Sequence, residues 1–197
     1  MLLSTLEASK RSVAIIGGGP SLSGFDFTKL RGRGYYVIAV NNAYKVAPWA
    51  DLCFFADARW WRHHKSELLN FEGSLVTSTA DHKTVQHSRL VRLQREYNAP
   101  LSEDPTKVSG HDSGTMAVNL AYLMGARRIV LLGFDMTFEE GGPTHWHDEH
   151  IWPTRKTLYE DRFKPKLAAM VEVLKAKGLR VTRATNPGVP NVEYCAL

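Results

Sequence analysis

Cysteine is scarce in this 197-residue chain: Cys53 and Cys195 are the only two. Cys53 sits inside an apolar run and Cys195 near the end of the sequence, so neither a disulfide framework nor a cysteine-based metal spacing can be drawn. A reducing cytoplasm is the expected compartment. Long hydrophobic runs are also missing. No stretch approaches the ~20 apolar residues that cross a bilayer, and Met1–Lys10 does not read as a secretory leader. Internal repeats and low-complexity tracts are absent, which excludes solenoids and disordered scaffolds. There is no Gly-Lys-Ser/Thr of a Walker loop.

What is present is an ordinary globular composition, 44% hydrophobic and 23% charged. The length suits one domain with a full core. Lys and Arg number 25 against 20 Asp and Glu, for a net charge of +5. That balance favours anionic partners such as nucleotides or phosphorylated substrates. The positive charge is spread along the sequence without a basic tail, so nucleic acid is a possible but unfavoured partner.

Continuous apolar runs read as buried strands at Ser12–Gly18, Tyr35–Asn41, Asp51–Ala56, Ser74–Thr79, Arg128–Phe134 and Leu179–Ala184. Helical periodicity is read over Arg59–Asn70, Ser88–Tyr97, Gly114–Gly125 and Pro165–Lys177. The Gly114–Gly125 segment is apolar nearly all round, as a buried helix would be. Pro100–Gly110 is expected as a polar surface loop that could close over a site. Buried strands alternating with helices predict a single α/β Rossmann-like domain over residues 1–197, a mainly parallel sheet with helices on both faces. A lid or loop is expected over 139–157.

In such folds ligands bind at the carboxyl ends of the strands. Two strand-to-helix junctions stand out there. Gly17-Gly18-Gly19-Pro20-Ser21 follows the first strand, and Ser113-Gly114 opens the buried helix that leads to Gly133-Phe134-Asp135. Free backbone N–H groups and helix dipoles make such turns receptive to phosphate. The dinucleotide fingerprint is incomplete, because Leu22 holds the third-glycine place and the second strand ends in Asn41-Asn42 rather than an acid. Ser113 or Asp112 can cap the helix. Asp57 and Asp135 each end a strand and can hold Mg2+, bind a ribose or shape a turn. His145-Trp146-His147-Asp148-Glu149-His150 is the densest reactive cluster. It misses the hydrolase metal pattern at Glu149, so a single histidine acting as general base suits it better than zinc. Arg59-Trp60-Trp61-Arg62-His63-His64-Lys65 mixes stacking surfaces with charge, although its helical spacing makes at least one tryptophan core. Arg89, Arg92 and Arg95 recur every third residue, as on a solvated helix face.

The order of these segments, from Val13 to Asp135, resembles a wider superfamily. It joins bacterial lipooligosaccharide CMP-sialyltransferases to MptE-like 6-hydroxymethylpterin diphosphokinases and their phage and bacterial relatives. Asn186-Pro187 is similar to the sialyltransferase ending. The resemblance implies a nucleotide held by Gly17–Ser21, Asn41 and Ser113-Gly114, and a histidine base among His145, His147 and His150. It implies a glycosyltransferase taking a nucleotide-activated sugar of the CMP-sugar type, with no cofactor required, and an acceptor the sequence does not name. The alternative it carries is an ATP-using diphosphokinase with Mg2+ on Asp57 and Asp135. Gly18 stands where the sialyltransferases carry Asn, and Met136-Thr137 stand where they carry tyrosines, so the resemblance does not extend to sialic acid itself. A non-catalytic nucleotide- or nucleic-acid-binding protein is the reading from a different class.

Overall fold

The computed structural model describes residues 11–136, 156–186, 188 and 191–197. Ten strands are assigned among them: β1 (Ser12–Ile16), β2 (Tyr36–Val40), β3 (Leu52–Phe55), β4 (Ser74–Thr77), β5 (Leu90–Arg92), β6 (Gln94–Glu96), β7 (Lys107–Ser109), β8 (Arg128–Leu132), β9 (Arg180–Arg183) and β10 (Glu193–Tyr194). The helices are α1 (Ala58–Leu68), α2 (Ser113–Leu123), α3 (Lys156–Leu158) and α4 (Lys164–Ala176), with a π turn at Tyr159–Phe163 joining the last two.

Eight strands form one sheet in the order β10-β9-β8-β1-β2-β3-β4-β5. Every pairing in it is parallel. The expected α/β architecture is therefore the observed one. The central strands read as unbroken apolar runs because both of their faces are buried. Along β1, Ile15 joins the core under α2 and α4, with Met116, Leu120, Leu167 and Val171. Ala14 and Ile16 point the other way, to the layer containing Trp60, Trp61 and Leu68 of α1.

The chain runs outward from β1 to β5, then returns to place β8 on the other side of β1. The strand order thus reverses between β1 and β8, the point at which doubly wound folds open a crevice at the carboxyl rim.

Two expectations are corrected. Ser88–Tyr97 is not a helix; it holds the short strands β5 and β6. Its arginines therefore form no helix face. Arg89 donates to the carbonyls of Leu69, Phe71 and Gly73, closing the end of α1. Arg95 donates to Ser78 O at 2.8 Å and to Ala56 O, tying together the exits of β4 and β3. Nor is Pro100–Gly110 a free surface loop. It contains β7, which pairs in parallel with β6, and Leu101, Ser102, Val108 and Ser109 are buried. Asn119 of α2, fully buried, holds it through three hydrogen bonds. Its Oδ1 accepts from Ser102 N at 2.9 Å and Ser109 N at 2.8 Å, and its Nδ2 donates to Ser102 O at 2.9 Å.

Candidate functional site

The exits of β1 and β8 are pinned together. Gly17 N–H donates to Leu132 O at 2.8 Å and Gly19 N–H to Gly133 O at 2.9 Å. The approach is so close that side chains are excluded. A Cβ on Gly17 would stand 2.7 Å from Gly133 O, and one on Gly19 2.5 Å from the Asp135 carboxyl carbon. Gly133 adopts φ +67°, a left-handed conformation that glycine reaches without strain. Pro20 then opens a short 3-10 turn, Pro20–Leu22. Asp135 caps it, accepting from Ser21 N at 2.8 Å and from Ser21 Oγ. Burial raises the Asp135 pKa, and the two Ser21 bonds offset part of that rise.

This geometry revises how the glycine loop can meet an anion. The amides of Gly17, Gly19 and Ser21 are engaged within the protein, whereas Gly18 N–H has no partner among the described residues. The second junction has a similar device. Asp112, rather than Ser113, is the N-cap of α2, accepting from Thr115 N at 2.8 Å and Thr115 Oγ1 at 2.6 Å. Each anion-receptive turn is thus capped by a carboxylate from the chain itself. Phe134 connects them: its ring lies within 3.2 Å of a Cβ built on Gly17 and 3.0 Å of one on Gly114. Both turns therefore stand on the same rim, with an aromatic ring packed between them.

Burial also raises the Asp112 pKa, against the Thr115 bonds that lower it. A carboxyl whose folded pKa is raised contributes most stability below its unfolded value, and loses that contribution as pH rises through the folded pKa. Asp112→Asn keeps an acceptor for Thr115 N and lets the Thr115 hydroxyl reverse its role. The variant is expected to gain stability relative to wild type as pH rises from about 4, and to reach a plateau above the raised pKa. Melting curves of the two proteins from pH 3.5 to 8 check this; a pH-independent difference overturns it.

Asn41 and Asn42 follow β2 directly and do different things. Asn42 is buried, and its Oδ1 accepts from the Trp60 indole N–H at 2.5 Å. It is part of the packing, not an open ligand group. Asn41 adopts φ +51°, one of two non-glycine residues with positive φ among those described. Its Oδ1 is buried and has no hydrogen-bond partner among the described residues. A buried orphan acceptor costs ~1–3 kcal/mol, and strained backbone concentrates where ligands bind.

Asp57 serves as the N-cap of α1, accepting from Arg59 N at 2.8 Å and pairing with the Arg59 guanidinium at 2.7 Å. Burial alone would raise its pKa, but the Arg59 bonds and charge prevail and hold it below the ordinary carboxylate range. Asp57 and Asp135 follow β3 and β8, three strand spacings apart or about 14 Å. With each bonded inside its own turn, the two carboxylates are not brought onto one ion. Among the described residues, no group of three or more His, Cys, Asp or Glu is placed to hold a metal.

The tryptophan pair is buried on both counts. Trp61 stacks on Phe55 with ring centroids 5.3 Å apart, and Trp60 lies against His64 and Tyr44. Neither is an open stacking platform. His145, His147 and His150, with most of the expected lid, lie outside the described residues. Sequence reasoning missed Thr185, whose Oγ1 accepts from Gly133 N at 2.8 Å and ties the β9 exit into the same junction. It also missed Ser78 beyond β4, whose hydroxyl meets Met116 Sδ in the first turn of α2 at 3.1 Å. Isolated Ser and Thr residues after a strand carry no periodic signal.

The fold is similar to that of the monofunctional alpha-2,3-sialyltransferase Cst-I from Campylobacter jejuni. The TM-score is 0.58 at 15% identity, covering 98% of this chain and 82% of that one. A thiamin pyrophosphokinase from Geobacillus thermodenitrificans aligns at a TM-score of 0.43 and 15% identity, over 88% of this chain and 59% of that one. No family model matches the sequence, and no curated protein is similar to it at the sequence level. At this identity the first likeness establishes a shared fold. Among the described residues, no helix is long and apolar enough to cross a membrane.

Proposed function

We propose that this chain is a nucleotide-utilising transferase, and specifically a glycosyltransferase taking a nucleotide-activated sugar of the CMP-sugar type. The observation that carries the reading is Asn41: a left-handed residue at the carboxyl end of β2, beside the strand-order reversal, whose buried Oδ1 has no partner among the described residues. An acceptor left in that state is satisfied by a hydroxyl or amino donor of a ribose or base. The likeness to a sialyltransferase fold agrees with this choice of ligand class. The nucleotide phosphate would lie near Gly18, Ser113 and Gly114, where helix-end amides oppose developing charge on the leaving phosphate. One of His145, His147 or His150 would take the acceptor hydroxyl proton. The acceptor oxygen then bonds to the sugar's anomeric carbon as the nucleotide phosphate departs with the bonding pair. No metal is needed in this scheme.

The decisive variant is Asn41→Gly. It relieves the positive φ and removes the orphan acceptor, so folding stability is expected to rise by about 1 kcal/mol. Nucleotide affinity is expected to fall by about tenfold or more with the lost hydrogen bond. Calorimetric titration of CMP, UDP, GDP and ADP species, paired with denaturant unfolding, measures both. A variant that binds as wild type does, or a wild type that binds none of these nucleotides, overturns the reading.

A further inference from the structure

The opposite rim of the sheet carries a feature that the proposed transfer chemistry does not use. Arg11 precedes β1, Arg31 and Arg33 precede β2, Arg127 and Arg128 begin the β8 segment, and Arg180 opens β9. These strands are neighbours, in the order β9-β8-β1-β2, and all parallel. The six arginines therefore share the amino-terminal rim. Register makes this concrete: Arg128 lies opposite Ser12 on one side and Arg180 on the other. At ~4.8 Å per strand, the row spans roughly 15 Å.

Five of the six are exposed and Arg128 is half-buried. None is in an ion pair among the described residues. Asp51 at the start of β3 turns into the sheet and accepts from Val37 N at 2.8 Å. Glu103 is paired with Lys177 at 2.8 Å. The carboxyl ends of α2 and α4 also face this end, but each contributes only about half a negative charge. Six of the 25 lysines and arginines are thus gathered at one rim. Without these six residues the chain would carry a net charge of −1 rather than +5.

We propose that this rim binds the phosphate backbone of a nucleic acid. Guanidinium groups are planar and grip phosphate oxygens in pairs, which ammonium groups do not. Arg31 lies over the Trp49 ring at 5.4 Å and Arg128 over the Tyr35 ring at 6.0 Å, so two of the cations are held in place by aromatic faces. Each of those rings has an arginine over one face, which favours contact with backbone over stacking with bases. The exposed large apolar residues among those described are Tyr97 and Tyr194, and neither precedes a strand on this rim. An anchored membrane contact would need such residues here.

The test is fluorescence anisotropy with a labelled 20-nucleotide single-stranded DNA between 50 and 200 mM KCl. Wild type is expected to bind, with log affinity falling against log salt at a slope near −4, from about 0.7 per phosphate over six contacts. Combining Arg31→Glu, Arg33→Glu, Arg127→Glu and Arg180→Glu is expected to lower affinity at least 30-fold at 100 mM KCl. Reversing Arg62 and Lys65 on α1, Arg62→Glu with Lys65→Glu, is expected to leave it within threefold. If the fourfold variant is unfolded by circular dichroism, Arg33→Glu alone, in an exposed turn, is expected to weaken binding about fivefold. The proposal is overturned if wild type does not bind DNA, if the rim variants bind within threefold of wild type, or if the α1 pair matters as much. It is equally overturned if phosphatidylglycerol vesicles, but not DNA, sediment with the protein through these arginines. None of these outcomes depends on nucleotide-sugar binding at the other rim.

Discussion

Asn119→Ala will lower unfolding free energy by about 4 kcal/mol, since Ser102 N, Ser102 O and Ser109 N all lose their partner in a buried setting at ~1–3 kcal/mol per orphaned group. For a domain of this size, that is a fall in Tm of roughly 8–16 °C. Asn119→Asp separates the contributions. It keeps an acceptor for the two amides but sets a carboxylate oxygen against Ser102 O and buries a charge, so it too will destabilise. The loss in Asn119→Asp will grow as pH rises, because ionisation removes the one form that can donate to Ser102 O. Denaturant unfolding at pH 4.5 and 7.5 measures this. An Asn119→Ala loss below 1 kcal/mol would show that the 97–110 segment is held by its apolar contacts instead. The segment's fixed position matters to the site because Asn119 ties it to the same helix whose first turn meets Phe134.

The second large effect belongs to Gly17. Gly17→Ala places a methyl 2.7 Å from Gly133 O and 3.3 Å from Leu132 O, both main-chain atoms that cannot rotate away. The β1 and β8 exits must part, which breaks the Gly17–Leu132 and Gly19–Gly133 bonds and unseats Asp135 from Ser21. Overpacking of this kind costs ~1–3 kcal/mol, and the broken hydrogen bonds add about 1 kcal/mol each. Gly24→Ala is the control. Gly24 has φ +73° but nothing within 4 Å of its built Cβ, so backbone strain is the whole penalty, about 1 kcal/mol. Unfolding curves for the two variants should therefore differ by at least 2 kcal/mol, and only Gly17→Ala should abolish nucleotide binding. Equal losses would mean that the junction is not a steric pinch.

The contrast between these positions explains what could be read from residues alone. The strands Val13–Ile16, Val37–Val40 and Ile129–Leu132 announce themselves because burial on both faces removes alternation and leaves a continuous apolar run. The short strands β5 and β6 do not. Leu90 and Leu93 stand three apart among arginines that also recur by three, which imitates a helix. The break between the strands falls at Leu93, whose N–H reaches Thr77 O, while Gln94 N–H reaches Thr106 O. Three-residue strands are specified by the partners that accept their hydrogen bonds, and those partners lie far away in sequence. At the site, the glycines and Asn41 were legible as strand-end signals. The capping by Asp112 and Asp135 was partly legible, because a carboxylate beside an N-terminal turn satisfies the same amides as a phosphate would. No pattern in the sequence distinguishes the two occupants. Asn42 illustrates the same limit: its neighbour is strained and orphaned, whereas its own Oδ1 meets an indole 18 residues away.

The central place of β1 has a consequence for how the protein is made. β1 finds β2 soon after both leave the ribosome, yet its other flank waits for Arg128–Leu132, more than a hundred residues later. Until then the nascent chain exposes an apolar strand with an open row of main-chain donors and acceptors, the kind of edge that invites association between chains. Translation that stalls before residue 128 will release fragments needing a chaperone, whereas those reaching β8 can close the gap themselves.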